Sequence, residues 1–134
     1  MADEFEEPGY SIDQSTKEGF VRLRVKIDRL KCESIGFFAR LRGLHPLPKG
    51  RNAEILNPTI TERGFELIVK GTPEGEMKGA KYKLTFKQLP YDVDPKECYL
   101  VGLEGFIEVF LKKVDENQDW DKYVRSGTLE TFEG

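Results

Sequence analysis

Val21-Arg22-Leu23-Arg24-Val25-Lys26-Ile27 alternates apolar and cationic residues without a break. In an extended chain successive side chains point to opposite faces. This stretch therefore predicts a half-buried strand, with the four aliphatic residues inward and Arg22, Arg24 and Lys26 toward water. The same period recurs further along. Ile35, Phe37, Ala39 and Leu41 form a second set, with Arg40 and Arg42 opposite. Phe65, Leu67 and Val69 form a third, and Tyr82, Leu84 and Phe86 alternate with Lys81, Lys83, Thr85 and Lys87. Tyr99, Val101 and Leu103 make a shorter run. Ile107, Val109 and Leu111 alternate with Glu108 and Lys112, and Phe106 and Phe110 stand unexpectedly on the polar side. Turn chemistry separates these runs: His45-Pro46-Leu47-Pro48, Asn57-Pro58, Arg63-Gly64, Gly71 to Gly75, Leu89 to Pro95, and Glu104-Gly105. No long helical stripe interrupts them. The fold class predicted is all-β, an antiparallel sandwich or small barrel of roughly six to eight strands.

A chain of 134 residues is the size of one domain and can bury a core without metal or disulfide support. Cys32 and Cys98 lie far apart in sequence and suit free thiols in a reducing compartment. No apolar run reaches the roughly 18–20 residues of a membrane helix, so no membrane association is expected. The start Met-Ala-Asp-Glu-Phe-Glu-Glu-Pro is acidic, the reverse of a signal or transit peptide, and points to the cytoplasm. Net charge is −3, which argues against a duplex-DNA binder. Of the 24 acids, six fall in residues 1–18 beside a single base, Lys17, leaving 18 acids and 20 bases in the remainder. Residues 1–9 are expected to be a disordered acidic leader and 125–134 a C-terminal tail.

Catalytic and metal-binding patterns are missing from this sequence. The only histidine, His45, sits before Pro46 in a loop, and a lone imidazole without a Cys or carboxylate cluster builds no zinc site or triad. Asp92 and Asp94, before Pro95, read as turn residues whose carboxylates bond their own backbone. Asp115, Glu116, Asp119 and Asp121 lack the glycine of a calcium loop and read as a solvated segment. No metal, no cofactor and no enzymatic activity is expected.

Two features remain. Arg22, Arg24, Lys26, Lys81, Lys83 and Lys87 line the polar sides of two strands, and they would form one partner-binding patch if those strands share a sheet. The competing reading is edge protection and solubility. Trp120, following the last strand, is expected to anchor the chain back onto the sheet. Nucleic-acid binding is disfavoured, because Tyr82 and Phe86 fall on the side of their strand opposite Lys81, Lys83 and Lys87.

Tyr82-Lys-Leu-Thr-Phe-Lys-Gln-Leu89, Val93-Asp-Pro95, Phe106-Ile-Glu-Val-Phe-Leu-Lys-Lys113 and Trp120-Asp-Lys-Tyr123 together resemble the CS domain, a sandwich related to the small heat-shock fold and shared by several co-chaperones. Asp13-Gln14-Ser15, Thr61-Glu62-Arg63-Gly64-Phe65-Glu66-Leu67 and Lys112-Lys113-Val114-Asp115 narrow the likeness to the calcyclin-binding, Siah-interacting family of ubiquitin-ligation adaptors. The resemblance spans residues 10–124, with extra residues within 28–43. It implies an antiparallel seven-stranded β-sandwich and a non-enzymatic interaction module, monomeric as an isolated domain and cytoplasmic or nuclear. Its implied partner is the ninety-kilodalton heat-shock chaperone or a ubiquitin-ligase scaffold subunit. The regions of that family that bind calcyclin and Siah have no counterpart here, so neither activity is implied. The alternative function is a stand-alone holdase of small heat-shock type, for which Leu129 and Phe132 offer only a weak C-terminal anchor.

Overall fold

The computed structural model describes residues 5–33, 42, 47–56 and 58–127. The strand expected at 35–41, the His45 loop, and Leu129 and Phe132 lie outside that range. Eight strands and one short helix are present among the described residues: β1 (Tyr10–Asp13), β2 (Phe20–Lys26), β3 (Ala53–Ile55), β4 (Thr59–Ile60), β5 (Phe65–Gly71), β6 (Lys81–Phe86), β7 (Tyr99–Leu103), β8 (Phe106–Lys112) and α1 (Asp121–Ser126). All strand pairings between them are antiparallel.

One sheet runs β1-β2-β8-β7. In the other, β5 is central. β6 pairs with it from Phe65 to Lys70, so β3 and β4 must share the opposite edge, end to end. Their registers differ by one residue. From Ile55 to Thr59 is four steps, whereas the partners Val69 and Glu66 are three steps apart, so the pairing is out of register by one residue across Pro58. Proline has no N–H to give a ladder, and the edge strand breaks there into two. The described residues thus hold eight strands, not the seven that the resemblance implies.

The inward faces of both sheets meet in a single core. Val21, Leu23 and Val25 from β2 join Ile107, Val109 and Leu111 from β8, and face Leu67, Val69, Leu84 and Phe86 from β5 and β6. These positions are the ones that alternate most strictly in the sequence. Strand β7 is inverted relative to the reading from its run. Leu100 faces inward opposite Val109, and Tyr99, Val101 and Leu103 face out.

Residues 5–9, expected within a disordered leader, are instead docked. The Glu6 N–H donates to the Lys81 carbonyl at 2.8 Å, and the Lys83 N–H donates to the Glu6 carbonyl at 3.1 Å, a parallel bridge on the free edge of β6. Pro8 is buried. The chain then crosses to the other sheet as β1, and the Tyr10 ring meets Phe86 edge-on at 5.5 Å. The N-terminal segment thus closes one side of the sandwich.

The closing segment packs as a unit. Trp120 is fully buried and joins the core, with Tyr91 edge-on at 5.6 Å and Tyr123 beyond it. Its indole Nε1 has no hydrogen-bond partner among the described residues. Gly127, in the left-handed region, ends α1 by donating its N–H to Tyr123 and Val124. The Thr61–Leu67 and Leu89–Pro95 stretches meet through Arg63, which donates to the carbonyls of Leu89 at 2.8 Å and Pro90 at 3.3 Å.

Candidate interaction face

The outer face of the β1-β2-β8-β7 sheet is built by alternation. Residues pointing away from the core are Phe20, Arg22, Arg24 and Lys26 on β2, Phe106, Glu108, Phe110 and Lys112 on β8, and Tyr99, Val101 and Leu103 on β7. Cross-strand register sets Arg22 beside Phe110, Arg24 beside Glu108 and Lys26 beside Phe106. Tyr99 lies beside Phe110 on the other flank.

At one end the rings form a cluster. Tyr99 stacks on Phe110 with centroids 4.8 Å apart, and Phe20 meets them edge-on at 5.7 and 6.3 Å. Phe110 is only 7% exposed although it points away from the core, because its neighbours on this face cover it. Lys17 bridges the rings: its Nζ lies 4.7 Å from the Phe20 centroid and 4.9 Å from that of Tyr99, and donates to the Tyr99 hydroxyl at 2.8 Å. The Lys112 Nζ is 5.5 Å from the Phe20 centroid and pairs with Glu116 at 2.9 Å. Ammonium groups over aromatic faces contribute about 0.5–1 kcal/mol each at such exposed sites.

The middle of the face is an ion-pair row. Arg22 bonds Asp13 at 2.7 Å and Glu108 at 2.8 Å. Burial opposes ionisation of Asp13, but hydrogen bonds from the hydroxyl and amide of Thr16, together with Arg22, hold its carboxyl below the ordinary range. Arg24 stands 4.0 Å from the same Glu108 oxygen, which Arg22 already occupies. Its guanidinium lies 4.1 Å from the centroid of the Phe106 ring, and its Nε makes no hydrogen bond. Lys26, with 64% of its side chain exposed, faces Asp28 at 3.9 Å. This face therefore carries a row of largely paired charges, with cations slightly in excess, beside an aromatic floor, and it is continuous with the half-buried Val101 and the exposed Leu103.

The six cations do not form one patch. Arg22, Arg24 and Lys26 lie on β2, whereas Lys81 and Lys83 lie on β6 of the opposite sheet with Lys87 just beyond its end. Two rows that look alike in sequence thus point to opposite outer faces of the sandwich. On the second face Lys83 lies 3.8 Å from Glu66, and Lys70 and Lys83 flank the ring of Phe5. The aromatic cluster went unread in the sequence, although Phe106 and Phe110 on the polar side of β8 were its visible sign.

The acidic closing segment is occupied by partners within the chain. Asp115 accepts from the Asn117 N–H, Asp119 from the Asp121 N–H and Gln14, and Asp121 pairs with Arg125. Hydrogen bonds from the Asp121 amide and Gln14 hold the Asp119 carboxyl below its ordinary range. Gln14 also accepts from Lys113 at 2.9 Å, so the Asp13-Gln14-Ser15 and Lys112–Asp121 stretches touch. On the flank between β7 and β4 lies a groove of about 260 Å³, with Ile60, Cys98 and Leu100 in its wall. Burial pushes the Cys98 thiol up to about 11, and it donates to the Asp94 carbonyl at 3.2 Å, both of which disfavour the thiolate. No helix among the described residues is long and apolar enough to cross a membrane.

In comparison with known proteins, no family model and no curated protein matches the chain.

Proposed function

We propose that this chain is a non-enzymatic protein-interaction module of the CS type, acting as a co-chaperone or ubiquitin-ligase adaptor. The observation that carries this reading is the outward cluster of Phe20, Tyr99 and Phe110 beside Arg22 and Arg24 on the β1-β2-β8-β7 face. Aromatic side chains with adjacent arginines are the composition of interface anchors. The surrounding cations steer an acidic partner and set the salt dependence of encounter. The sequence resemblance supplies the partner class, the ninety-kilodalton heat-shock chaperone or a ligase scaffold subunit, in the cytoplasm or nucleus. Among the described residues, counting β3 and β4 as one interrupted strand gives seven strand positions, the number a CS sandwich has, which supports the reading.

Separate charge reversals on the two faces test the proposal. Arg24→Glu should weaken binding to the purified chaperone or scaffold about tenfold, equivalent to about 1.4 kcal/mol. Lys83→Glu, on the opposite sheet, should leave that affinity near wild type. Raising salt should weaken the wild type more than Arg24→Glu. Unchanged affinity in a folded Arg24→Glu protein would exclude this face. An oligomer that suppresses client aggregation and binds neither partner would favour the holdase instead.

A further inference from the structure

The second sheet ends in a strand whose outer edge already holds a peptide, and that peptide is the chain's own. In β6, Lys81 and Lys83 turn their N–H and C=O groups away from β5, because Ala80, Tyr82, Leu84 and Phe86 face it. Glu6 takes two of those groups, the Lys81 carbonyl and the Lys83 N–H, in a parallel bridge. Side chains add a second layer of contact. The Phe5 ring lies 5.8 Å from the Lys70 Nζ and 5.4 Å from that of Lys83, a seat made by two ammonium groups around one aromatic ring. Glu7 follows, and the sequence ahead of Phe5 continues acidic through Asp3 and Glu4.

Beyond Glu6 the next residue of the arm able to face the edge would be Pro8, which has no N–H, so the ladder cannot continue past it. Among the described residues of the arm, Glu6 makes two backbone bonds and Phe5 makes the ring contact, while Pro8 is buried and Glu6 and Glu7 are exposed. An edge whose ladder cannot extend past Pro8 can be opened by a longer competing strand, and edge addition is a recurrent mode of peptide recognition.

We propose that the outer edge of β6 is a docking site for an extended acidic segment of a partner protein carrying an aromatic residue, and that residues 5–8 are its resident, displaceable occupant. The arm itself defines the chemistry. Main-chain bonds come from Lys81 and Lys83, the aromatic sits between Lys70 and Lys83, and flanking carboxylates complement the lysines. This surface lies on the sheet opposite the aromatic face and does not depend on what binds there.

The probe is a fluorescent peptide of residues 1–9, titrated against the full chain and a full-length Phe5→Ala, Glu6→Pro variant. The variant removes the ring and the donating N–H without shortening the chain. The variant should bind the peptide at least about tenfold more tightly than wild type, whose edge is occupied. Adding Lys83→Glu to the variant should remove that gain, and high salt should diminish it. Exchange of the Lys83 amide should accelerate about tenfold in the variant and slow again when peptide is added. A variant with a native circular dichroism spectrum that binds no more tightly than wild type would overturn the proposal. So would a variant that dimerises through this edge and is not dissociated by the peptide, which would assign the edge to a second copy of the chain.

Discussion

Asp13 sits where β1 ends and accepts four bonds, from the amides of Ser15 and Thr16, the hydroxyl of Thr16 and the guanidinium of Arg22. Burial opposes ionisation, but the bonds from Thr16 and Arg22 favour the carboxylate and outweigh it, which is why its folded value lies below the ordinary one. A depressed folded value means that Asp13 contributes stability above the ordinary carboxylate range. That contribution is lost as pH falls through the lower folded value. Asp13→Asn should therefore cost about 1 kcal/mol at neutral pH, and the gap to wild type should close in strong acid. Urea denaturation of both proteins at neutral and acidic pH measures it. A gap that stays constant with pH would mean that the side-chain shape, and not the charge, matters there. Asp13, Gln14 and Ser15 were legible as a motif, but their partners were not. Thr16 is adjacent, whereas Arg22, Lys113 and Asp119 are joined to them only by the folded sheet.

At the scale of elements, legibility followed period and length. β2, β5, β6 and β8 alternate over six or seven residues, and their inward faces were readable before any coordinates. β7 was assigned the wrong face because Tyr99-Leu100-Val101-Gly102-Leu103 is apolar at both parities. Its inward side is taken by Gly102, where an added Cβ would lie 2.8 Å from the Cys32 sulfur and the Pro48 Cβ. No periodicity argument detects a close approach by a distant loop. β3, β4 and α1 are three, two and six residues long, too short for a period to register. The return from β5 to β6 shows how tightly the elements are joined. The Gly71 N–H bonds the Ala80 carbonyl, and a Cβ at position 71 would overlap the Met77 carbonyl oxygen. Gly71→Ala should cost about 1–3 kcal/mol, since backbone must move to admit the methyl group. A thermal melt within about 1 °C of wild type would mean that this connection is looser than described.

For the molecule as a whole, the decisive fact is that two similar basic rows belong to different sheets. Alternation tells which side of its own strand a lysine takes, but not which strands become neighbours, so the six cations could be listed and not placed. A single core cluster nevertheless ties both sheets and the closing segment together, which predicts one cooperative transition. Trp120→Ala should lower stability by about 3–5 kcal/mol, measured by denaturant titration. A loss under about 1 kcal/mol would place the indole outside the cooperative unit. The setting of that side chain also equips the protein with an optical reporter. The sole indole is enclosed, its Nε1 donates to nothing among the described residues, and Tyr91 stands against it with Tyr123 beyond. Its fluorescence should therefore peak at short wavelength and draw excitation energy from Tyr91 and Tyr123. On denaturation the emission should shift to the red in step with the loss of ellipticity, so the native chain needs no added dye.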